Sequence, residues 1–437
     1  MEATLRTGGL PAPRAAKPFE GSGGADAAPR EVLLFYKYVE VAEPAALAAA
    51  QRGLCAGLGL RGRVLVAPEG VNGTLSGAAA AVRGYVAAMR GDARFADVDF
   101  KFSASVGHPF PNLLVREVKE LVSSSGLFAG VPVPRAQYAD VDAAGATGTH
   151  LGPEEFHALL QEVYRGREGA GAAEAEAGAE AGASTSAPTS ASSTVILDIR
   201  NTKEYSIGHF QGAVDLGADT YSEIARYLTN RAEELRDKKV IMYCTGGIRC
   251  EKASAFLKAR VQHDQVYQLQ GGIHRYLEAF PDGGFFSGKN FVFDARLTQP
   301  VGEGVPETAA DGSLPACRTV VGACVECKAP YDAMDWRKVC VVCHNICLVC
   351  EPCAERLRGE YHCKKHAHLK RLYFAELEKF SVSQLAAQRE GLLKLERASH
   401  GVRRERKKRK TLRNQVAKID AHLQARGQGP GEAEGGE

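Results

Sequence analysis

Met242-Tyr-Cys-Thr-Gly-Gly-Ile-Arg-Cys-Glu-Lys252 is the stretch of this chain with the most specific pattern. The apolar run Val240 to Tyr243 predicts a buried strand that ends at Cys244. After a short loop, a helical pattern continues to Lys258. The stretch therefore predicts a strand, a tight loop and a helix N-terminus, with a cysteine at the first position of the loop.

Two glycines let this loop curl so that successive amide N–H groups point into a ring, and the positive end of the following helix adds to it. Such a ring stabilises a thiolate, a persulfide or an oxidised sulfur on Cys244. Four residues separate Cys244 from Arg249, whereas the loop of cysteine-dependent phosphatases is longer and encloses a phosphate. The smaller ring suits a single sulfur atom. The amides that would form it belong to Thr245, Gly246, Gly247 and Ile248.

Three further strings accompany the loop: Asp198-Ile-Arg200 after an apolar strand, Gly208-His-Phe-Gln-Gly-Ala213, and Gly271-Gly-Ile273. Together with the loop they resemble a rhodanese domain. Strands and helices alternate around them, which predicts an α/β fold with a largely parallel sheet. Active loops lie at the carboxyl ends of such strands. Because Cys244 and Asp198 both end strands, we expect them to face one crevice.

Other strings point to a smaller group of proteins within the rhodanese-like ones. They are Arg200-Asn201, the twelve residues from Cys244 to Ala255, and Gly288-Lys-Asn-Phe-Val-Phe-Asp294. They are similar to the rhodanese-domain tRNA uridine hydroxylases, and the match covers roughly residues 31 to 365. The resemblance implies an enzyme that uses molecular oxygen to place a 5-hydroxyl on the wobble uridine of tRNA. It makes tRNA the expected partner. The sequence contains no flavin, haem or iron motif.

Roles follow for three residues near the loop. Cys244 is expected to be the nucleophile or the sulfur carrier, because the amide ring and Arg249 lower the pKa of its thiol. Arg249 has two open roles: it either holds the loop closed through a carboxylate such as Glu204, or faces the substrate. Asp198 is expected to fix Arg200 or the loop amides rather than to act as a base.

Cys250 directly follows the loop and has two interpretations. A thiol there could resolve a persulfide or a sulfenic acid on Cys244 into a disulfide. It could equally be a small packed residue in the first turn of the helix.

Length and composition limit the number of domains and the classes of protein that are possible. The 437 residues suggest about three domains, and the net charge is +3. No run approaches the roughly 18 apolar residues of a membrane span, so we expect no membrane partner.

Nine of the twelve cysteines lie between Cys317 and Cys363 in spacings typical of metal ligands, which favours a reducing compartment. Residues 1–30 predict a disordered lead, and we expect a cytoplasmic protein, with a chloroplast or mitochondrion as the alternative.

Residues 31–145 predict a ferredoxin-like or acylphosphatase-like α+β module with a βαββαβ order. Residues 69–73 predict a turn in it. Lys37, flanked by two tyrosines, and Arg63 could present cations and stacking faces to RNA. The alternative is that the tyrosines are half-buried in the sheet and the cations form a solvated face.

The rhodanese-like α/β domain is expected at residues 149–297. Within it, residues 167–193 consist mainly of Ala, Gly, Glu, Ser and Thr without apolar periodicity, which predicts a disordered insertion. A linker is expected at residues 298–316, because Pro, Gly and acidic residues follow the last apolar strand.

A cysteine-rich zinc-binding module is predicted at residues 317–368. Three CxxC pairs each place two thiolates on one knuckle, and pairs of knuckles close a tetrahedral zinc shell. The predicted ligands are Cys324, Cys327, Cys340, Cys343, Cys350 and Cys353. Spare ligands allow one site or two; they are Cys317, Cys347, Cys363, His362 and His366. Soft ligands without a carboxylate favour a structural zinc, with a redox role for some thiols as the alternative.

Residues 369–425 predict a basic helical tail, followed by a disordered end at 426–437. A dense run of cations attracts phosphate backbones. The candidates for RNA contact are Arg404, Lys407, Lys408, Arg409 and Lys410. A nuclear address or a solvated tail are the alternatives, and the family resemblance does not extend to this segment.

Three classes of function remain open at this point. The resemblance favours the tRNA uridine hydroxylase. The loop alone favours a rhodanese-type sulfurtransferase that carries a persulfide on Cys244. The third class is a non-catalytic RNA-binding or redox-sensing protein in which the loop only reports oxidation.

Overall fold

A computed structural model describes residues 28–128, 131, 146–177, 194–261, 265–299, 302, 305, 307, 314–357, 359–369, 377, 380–401 and 405–426, without the side chains of 168–177. Of the segments predicted to be disordered, residues 1–27, 178–193 and 427–437 lie outside the described residues.

The N-terminal module is a five-stranded sheet with two helices. In chain order its elements are β1 (Pro29–Tyr38), α1 (Pro44–Gly57), β2 (Arg61–Ala67), β3 (Gly70–Gly77), α2 (Ala79–Arg90), β4 (Lys101–Val106) and β5 (Leu113–Glu117). The strand order is β4-β1-β3-β2-β5, antiparallel except that β5 runs parallel to β2. The first four strands confirm the predicted ferredoxin-like order, and β5 adds an edge.

Both faces of this sheet are covered. Side chains alternate along a strand, and Leu33 and Phe35 of β1 are fully buried in a core with the two helices. Tyr36 points the other way and packs in a cluster with Ile248 of the next module. The second face of the sheet therefore meets the loop that contains Cys244.

The turn predicted at residues 69–73 is shorter than expected, because β3 already begins at Gly70. Gly70 has a φ of 139°, and a side chain there would collide with the carbonyl oxygen of Lys37 on β1. Glycine therefore allows β1 and β3 to pair up to the turn. As a consequence, Asn72 lies in a strand rather than in a turn.

The central domain is built on a parallel sheet. Its elements are β6 (Thr149–Leu151), α3 (Pro153–Ala177), β7 (Thr194–Asp198), α4 (Thr202–Tyr205), β8 (Gly208–Phe210), β9 (Val214–Asp215), α5 (Tyr221–Leu235), β10 (Lys239–Tyr243), α6 (Ile248–Val261), β11 (Val266–Leu269), α7 (Gly272–Ala279), β12 (Phe286–Gly288), β13 (Asn290–Phe291) and β14 (Thr298–Gln299). The order β6-β11-β10-β7-β9 is parallel throughout and places β10 in the middle. Buried residues of helices pack on both faces, which confirms the predicted α/β fold.

Helix α3 is longer than predicted. It extends to Ala177 and so enters the segment 167–193 that the composition predicts to be disordered. Alanine and glutamate have high helix propensity, so the backbone can continue as a helix although no apolar stripe requires it. The prediction from the missing apolar periodicity therefore placed the start of the disordered insertion too early in the chain.

The cysteine-rich module leads into two helices. Its elements are α8 (Glu351–Leu357), α9 (Val382–Ala398) and α10 (Arg406–Ala425). The contacts Arg389–Asp420 and Glu396–Arg413 show that α9 and α10 are antiparallel. Their buried leucines share one core with the cysteines, so this helical hairpin is packed against the module. In the described part of the chain, no helix is both long enough and apolar enough to cross a membrane.

Candidate active site and metal-binding clusters

Cys244 directly follows β10, at the carboxyl end of the middle strand of the parallel sheet. The Gly247 amide donates a hydrogen bond to the Cys244 sulfur at 3.1 Å. Gly247 has a φ of 105°, a conformation that favours glycine. An amide thus points into the ring formed by residues 244–249, here called the cysteine loop. The Cys244 side chain is fully buried, so a substrate can reach it only after covering atoms move.

The contacts of Cys244 stabilise its thiolate. Burial raises the pKa of this thiol, but a hydrogen bond from Cys250, the charge of Arg249 and backbone amides together outweigh it and lower the pKa to about 5. Burial and the hydrogen bond to Cys244 raise the pKa of Cys250 well above its ordinary value. At neutral pH the pair therefore consists of a thiolate and a thiol. The role of Cys250 as a resolving thiol stays a prediction.

Arg249 is held by the buried carboxylate of Glu204. Its two terminal nitrogens donate to the two Glu204 oxygens at 2.7 and 2.8 Å, and the Thr245 hydroxyl donates to the same carboxylate at 2.8 Å. Burial raises the pKa of Glu204, but the charge of Arg249 and its hydrogen bonds overcome this and lower the pKa to about 2. The contact that the loop-closing role of Arg249 requires is therefore present.

Asp198 is paired with Arg200 rather than with the loop amides. The carboxylate accepts hydrogen bonds from Nε at 2.8 Å and from Nη2 at 2.6 Å of that guanidinium. The Tyr243 hydroxyl donates to it at 2.7 Å, and Arg200 also donates to the Gly208 carbonyl at 2.6 Å. These contacts match the predicted positioning role of Asp198, because they join β7, β8 and β10 below the loop.

The N-terminal sheet lies directly on the cysteine loop. The Tyr38 hydroxyl donates to the Ile248 carbonyl at 3.3 Å, and a side chain at Gly247 would come within 2.6 Å of the Tyr36 hydroxyl. Both tyrosines are only 4% exposed. Both tyrosines are thus more deeply buried than either interpretation assumed, in contacts with the cysteine loop rather than on an open stacking surface.

Lys37 is likewise not available to RNA. Strand alternation turns it toward the helices, where it is 3% exposed and forms an ion pair with Asp97. The prediction of an RNA contact at Lys37 is therefore wrong for this structure, because a cation on a strand can reach a carboxylate beside the core.

Two charged residues directly after the loop join the modules, and the sequence did not indicate this role. Glu251 is buried on α6 and accepts a hydrogen bond from the Tyr36 hydroxyl at 3.1 Å. Lys252 is 4% exposed and pairs with Glu69 at 2.8 Å and with Glu120 at 3.3 Å. In the sequence, two adjacent charged residues stand at the start of a helix whose other residues are mostly apolar or small. Because buried charges are normally paired, this pattern could have predicted partners in another module.

A cavity of about 580 Å³ lies between the N-terminal sheet and the cysteine loop. Thr245, Gly246 and Ile248 form part of its wall from the loop side. From the sheet side, β2 contributes Arg63 and β5 contributes Arg116. The cavity is therefore a shared product of two modules, and its volume is typical of sites for small ligands.

The cations of this cavity differ in their partners. Arg63 and Arg116 are exposed, and neither forms an ion pair with a residue that the structure describes. Arg296, in contrast, is paired with Asp294 at 2.6 Å and donates to the Ser103 hydroxyl at 3.0 Å. Two arginines thus remain available for an anionic ligand.

Phe293 and Asn72 also line the cavity, and sequence reasoning assigned neither to the site. Phe293 is 46% exposed. The guanidinium of Arg249 and the ammonium of Lys203 each lie 5.7 Å from its ring centroid. The alternation of Phe291, which is buried, and Phe293, which is exposed, was a signal that an aromatic face is open to a ligand.

Two clusters of metal-ligand side chains lie in the cysteine-rich module. They are Cys324, Cys327, Cys350 and Cys353, and Cys340, Cys343, Cys363 and His366. In each, the ligand atoms lie within 4.8 Å of one another. The sulfurs of Cys327 and Cys350 are 3.6 Å apart, and those of Cys343 and Cys363 are 3.8 Å apart. These separations fit a tetrahedral ion with metal–sulfur bonds of about 2.3 Å.

The first CxxC knuckle shares a cluster with the third, and the second shares the other cluster with Cys363 and His366. All six predicted cysteines are ligand candidates, but the predicted set lacked Cys363 and His366, which the spacing left as spare ligands. Cys317 and Cys347 lie outside both clusters. The arrangement can therefore hold two metal ions, and each ion would tie together distant parts of the chain.

The tail residues predicted to contact RNA lie mainly on α10. Arg404 is outside the described residues. The others lie within the first turns of α10: Lys407, Lys408, Arg409 and Lys410. Lys408 pairs with Glu405 at 3.2 Å, and Arg409 donates to the Ser399 carbonyl at 2.6 Å. Lys407 and Lys410 are exposed.

Comparison with known proteins agrees with this architecture. Three family models match: the UPF0176 acylphosphatase like domain at residues 30–121, the Rhodanese-like domain at 183–279 and the Rhodanase C-terminal model at 287–367. A Listeria monocytogenes protein named tRNA uridine(34) hydroxylase is 38% identical over 275 residues, which cover 62% of this chain and 73% of that protein. The chain belongs to the tRNA uridine(34) hydroxylase family.

Other members and relatives extend the match. A tRNA uridine(34) hydroxylase of Bacillus licheniformis is 36% identical over 273 residues, 62% of this chain and 72% of its own length. An Arabidopsis thaliana protein named Rhodanese-like domain-containing protein 6 is 35% identical over 354 residues, 77% of this chain but 53% of its own length. The family models end at residue 367, so α9 and α10 lie beyond them.

Proposed function

We propose that this protein is an enzyme that hydroxylates C5 of the wobble uridine of tRNA with molecular oxygen, and that Cys244 is its reactive centre. Membership of the tRNA uridine(34) hydroxylase family supports the reaction and the substrate. The observation that carries the proposal is the cavity of about 580 Å³, which brings the cysteine loop opposite two arginines without ion-pair partners among the described residues.

The substrate nucleotide enters this cavity after it is turned out of the anticodon loop, as enzymes that modify a base require. Arg63 and Arg116 bind the phosphates on either side of it. Phe293 stacks on the uracil ring, since aromatic faces bind unstacked bases of single-stranded RNA. The Asn72 amide offers both a donor and an acceptor to the edge of the base.

Cys244 supplies a thiolate near neutral pH, because its pKa is about 5. Arg249 and the inward amides stabilise negative charge on the sulfur as it reacts. In the overall reaction C5–H becomes C5–OH. The second oxygen atom of dioxygen leaves as water, with two protons and two electrons taken from cellular thiols that become a disulfide. Since Cys244 is buried, binding of the nucleotide must displace the atoms that cover the sulfur.

The two cysteine-rich clusters hold zinc in a structural role. Their donor sets, four sulfurs in one and three sulfurs with an imidazole in the other, are those of structural zinc sites and leave no open ligand position. Zinc would supply no chemistry at Cys244. It would fix the extension and the helical hairpin to each other.

A sulfurtransferase is the second candidate, and one observation favours it. The Gly247 amide contacts a single sulfur atom at 3.1 Å, a geometry equally suited to the inner sulfur of a persulfide. Such an enzyme would transfer sulfur from thiosulfate to cyanide, and replacement of Cys244 by serine would abolish that turnover.

The two candidates separate in cells that lack the protein. Mass spectrometry of tRNA nucleosides should show loss of 5-hydroxyuridine derivatives and their return with the wild-type gene, but no return when the cells grow without oxygen. Unchanged 5-hydroxyuridine in the deletion strain would overturn the hydroxylase proposal. Thiosulfate turnover by the purified protein would then support the sulfurtransferase.

A further inference from the structure

A small basic cleft lies at the connected end of the helical hairpin, where α9 ends and α10 begins, beyond residue 367 at which the last matching family model ends. Its volume is about 370 Å³. The residues that line it come from the end of α9 and from one face of α10: His400, Arg406, Arg409, Lys410, Arg413 and Asn414. Because four of these six side chains are cations, the cleft is suited to an anion.

The charges of the cleft are only partly neutralised. Arg413 pairs with Glu396 at 2.6 Å, and Arg409 donates to the carbonyl of Ser399 at 2.6 Å. Arg406 and Lys410 are exposed, and neither makes a hydrogen bond or ion pair with a residue that the structure describes. They are four positions apart on a helix and so lie next to each other.

The cleft is held in place from behind. Leu412, Val416 and Ile419 on the opposite face of α10 are buried in the core that contains the metal-ligand cysteines. The Thr411 hydroxyl donates to the Val342 carbonyl at 3.3 Å, between the knuckle cysteines. A face fixed by this core presents its cations in a defined geometry, unlike a free basic tail.

The module that carries the cleft is also tied to the cysteine loop. Lys365 pairs with Asp219 at 2.6 Å just before α5. On α5, the Tyr221 hydroxyl donates to the Arg249 carbonyl at 3.0 Å. The basic cleft and the nucleotide cavity are therefore connected through direct contacts between their modules.

We propose that the basic cleft binds a phosphate of the RNA backbone and so gives the enzyme a second contact on its tRNA, outside the nucleotide cavity. The inference rests on the proposed function for the identity of the RNA. A concave wall of arginine and lysine matches a phosphate. A lipid surface fits less well, because the large exposed hydrophobic residues of the described chain lie outside α9 and α10.

The test is the salt dependence of binding to an unmodified tRNA transcript, measured by fluorescence anisotropy with the full-length zinc-loaded protein. Arg406→Ala with Lys410→Ala should weaken binding about tenfold at moderate salt and reduce the slope of log affinity against log salt by about 2, as expected for two lost phosphate contacts. Lys394→Ala with Lys418→Ala removes two exposed cations of the same hairpin away from the cleft and should leave the slope unchanged.

Equal affinities and slopes for wild type and both double variants would overturn the proposal and make the basic face a solvated surface. The same conclusion would follow if the control pair weakened binding as much as the cleft pair. If the cleft variant loses affinity while cells lacking the protein keep their 5-hydroxyuridine, the cleft stands and the proposed reaction falls. Unchanged circular dichroism and zinc content of the variants would show that the fold is intact.

Discussion

The Glu204 carboxylate is fully buried, yet it carries the charge that holds Arg249 and Thr245 in the cysteine loop. Its own position is set by a capping box with Asn201 at the start of α4. The loop that surrounds Cys244 is thus supported by a residue forty positions earlier in the chain. The support is electrostatic, so it depends on the protonation of one group.

Glu204→Gln should lower the free energy of unfolding by about 3 kcal/mol, because it leaves the Arg249 charge buried without its counter-charge. Urea denaturation of the full-length protein measures this. Glu233→Gln, which removes an exposed pair with Arg236 on α5, should cost less than about 1 kcal/mol. Losses of equal size in the two variants would contradict the role given to Glu204.

The same ion pair predicts a dependence of stability on pH. The pKa of Glu204 is lowered from 4.5 to about 2 in the folded protein. A lowered pKa of this kind adds stability above pH 4.5, and the contribution is lost as the pH falls toward 2.

At the residue scale, the sequence predicted contacts correctly where the partners are close in the chain. Cys244 and Arg249 stand in one loop, and Asp198 is two positions from its partner Arg200. It failed at Lys37, because alternation along a strand does not tell which face the helices of the same module cover, and Asp97 is distant in the chain. Asn72 and Phe293 were missed for the same reason, since their surroundings come from residues distant in the chain.

At the scale of elements, α6 joins the cysteine loop to the N-terminal sheet. Lys252 on this helix reaches Glu69 and Glu120, and its ammonium also donates to the Val122 carbonyl at 3.2 Å. These contacts hold the sheet over the loop and help to keep Cys244 from solvent.

Lys252→Met should increase the rate at which iodoacetamide alkylates Cys244, by about tenfold, because loss of the ion pairs favours the opened state. Mass spectrometry of the peptide that contains Cys244 measures the rate apart from the other cysteines. Lys258→Met, on the same helix but without these partners, is the matched control. Equal rates in the two variants would mean that the sheet does not restrict access.

The zinc content of cysteine variants should distinguish the cysteines that are metal ligands from those that are not. The purified protein should contain two equivalents of zinc, one for each cluster. Cys363→Ser should retain one of them, whereas Cys347→Ser should retain both, because Cys347 lies outside the clusters. Inductively coupled plasma mass spectrometry gives the count. Loss of zinc from Cys347→Ser would show that the ligands are paired differently.

Sequence spacing found the CxxC knuckles but not the partner of each knuckle. Cys363 and His366 follow the preceding knuckle after a helix and a turn, and their approach to Cys340 and Cys343 depends on the folded core. The length of α3 was missed for a different reason, since helix propensity acts without an apolar stripe.

At the scale of the whole molecule, the nucleotide cavity exists because two modules meet. Arg63 and Arg116 come from the N-terminal sheet, whereas Arg249 and Phe293 come from the central domain. The sequence predicted both modules correctly, but their relative placement depends on interface contacts such as those of Tyr36 and Lys252. The sequence motifs therefore could not predict a site that lies between the two modules.

Arg63→Ala combined with Arg116→Ala should reduce the 5-hydroxyuridine content of tRNA about tenfold at low expression in a deletion strain, because two phosphate contacts are lost. Arg83→Ala, an exposed arginine of α2 outside the cavity, should leave it unchanged. Nucleoside mass spectrometry measures the 5-hydroxyuridine content of tRNA from both strains. Full modification in the double variant would place the substrate elsewhere.

Cys244 in its amide ring is the proposed reactive centre for tRNA modification, and its replacement by serine tests this role most directly. Cys55→Ser alters another buried cysteine in the core of the N-terminal module and serves as the control. In a deletion strain that expresses each variant at wild-type level, quantitative nucleoside mass spectrometry should find 5-hydroxyuridine derivatives restored by Cys55→Ser and absent with Cys244→Ser. Wild-type levels of the modified nucleoside with Cys244→Ser would show that Cys244 is not the reactive centre.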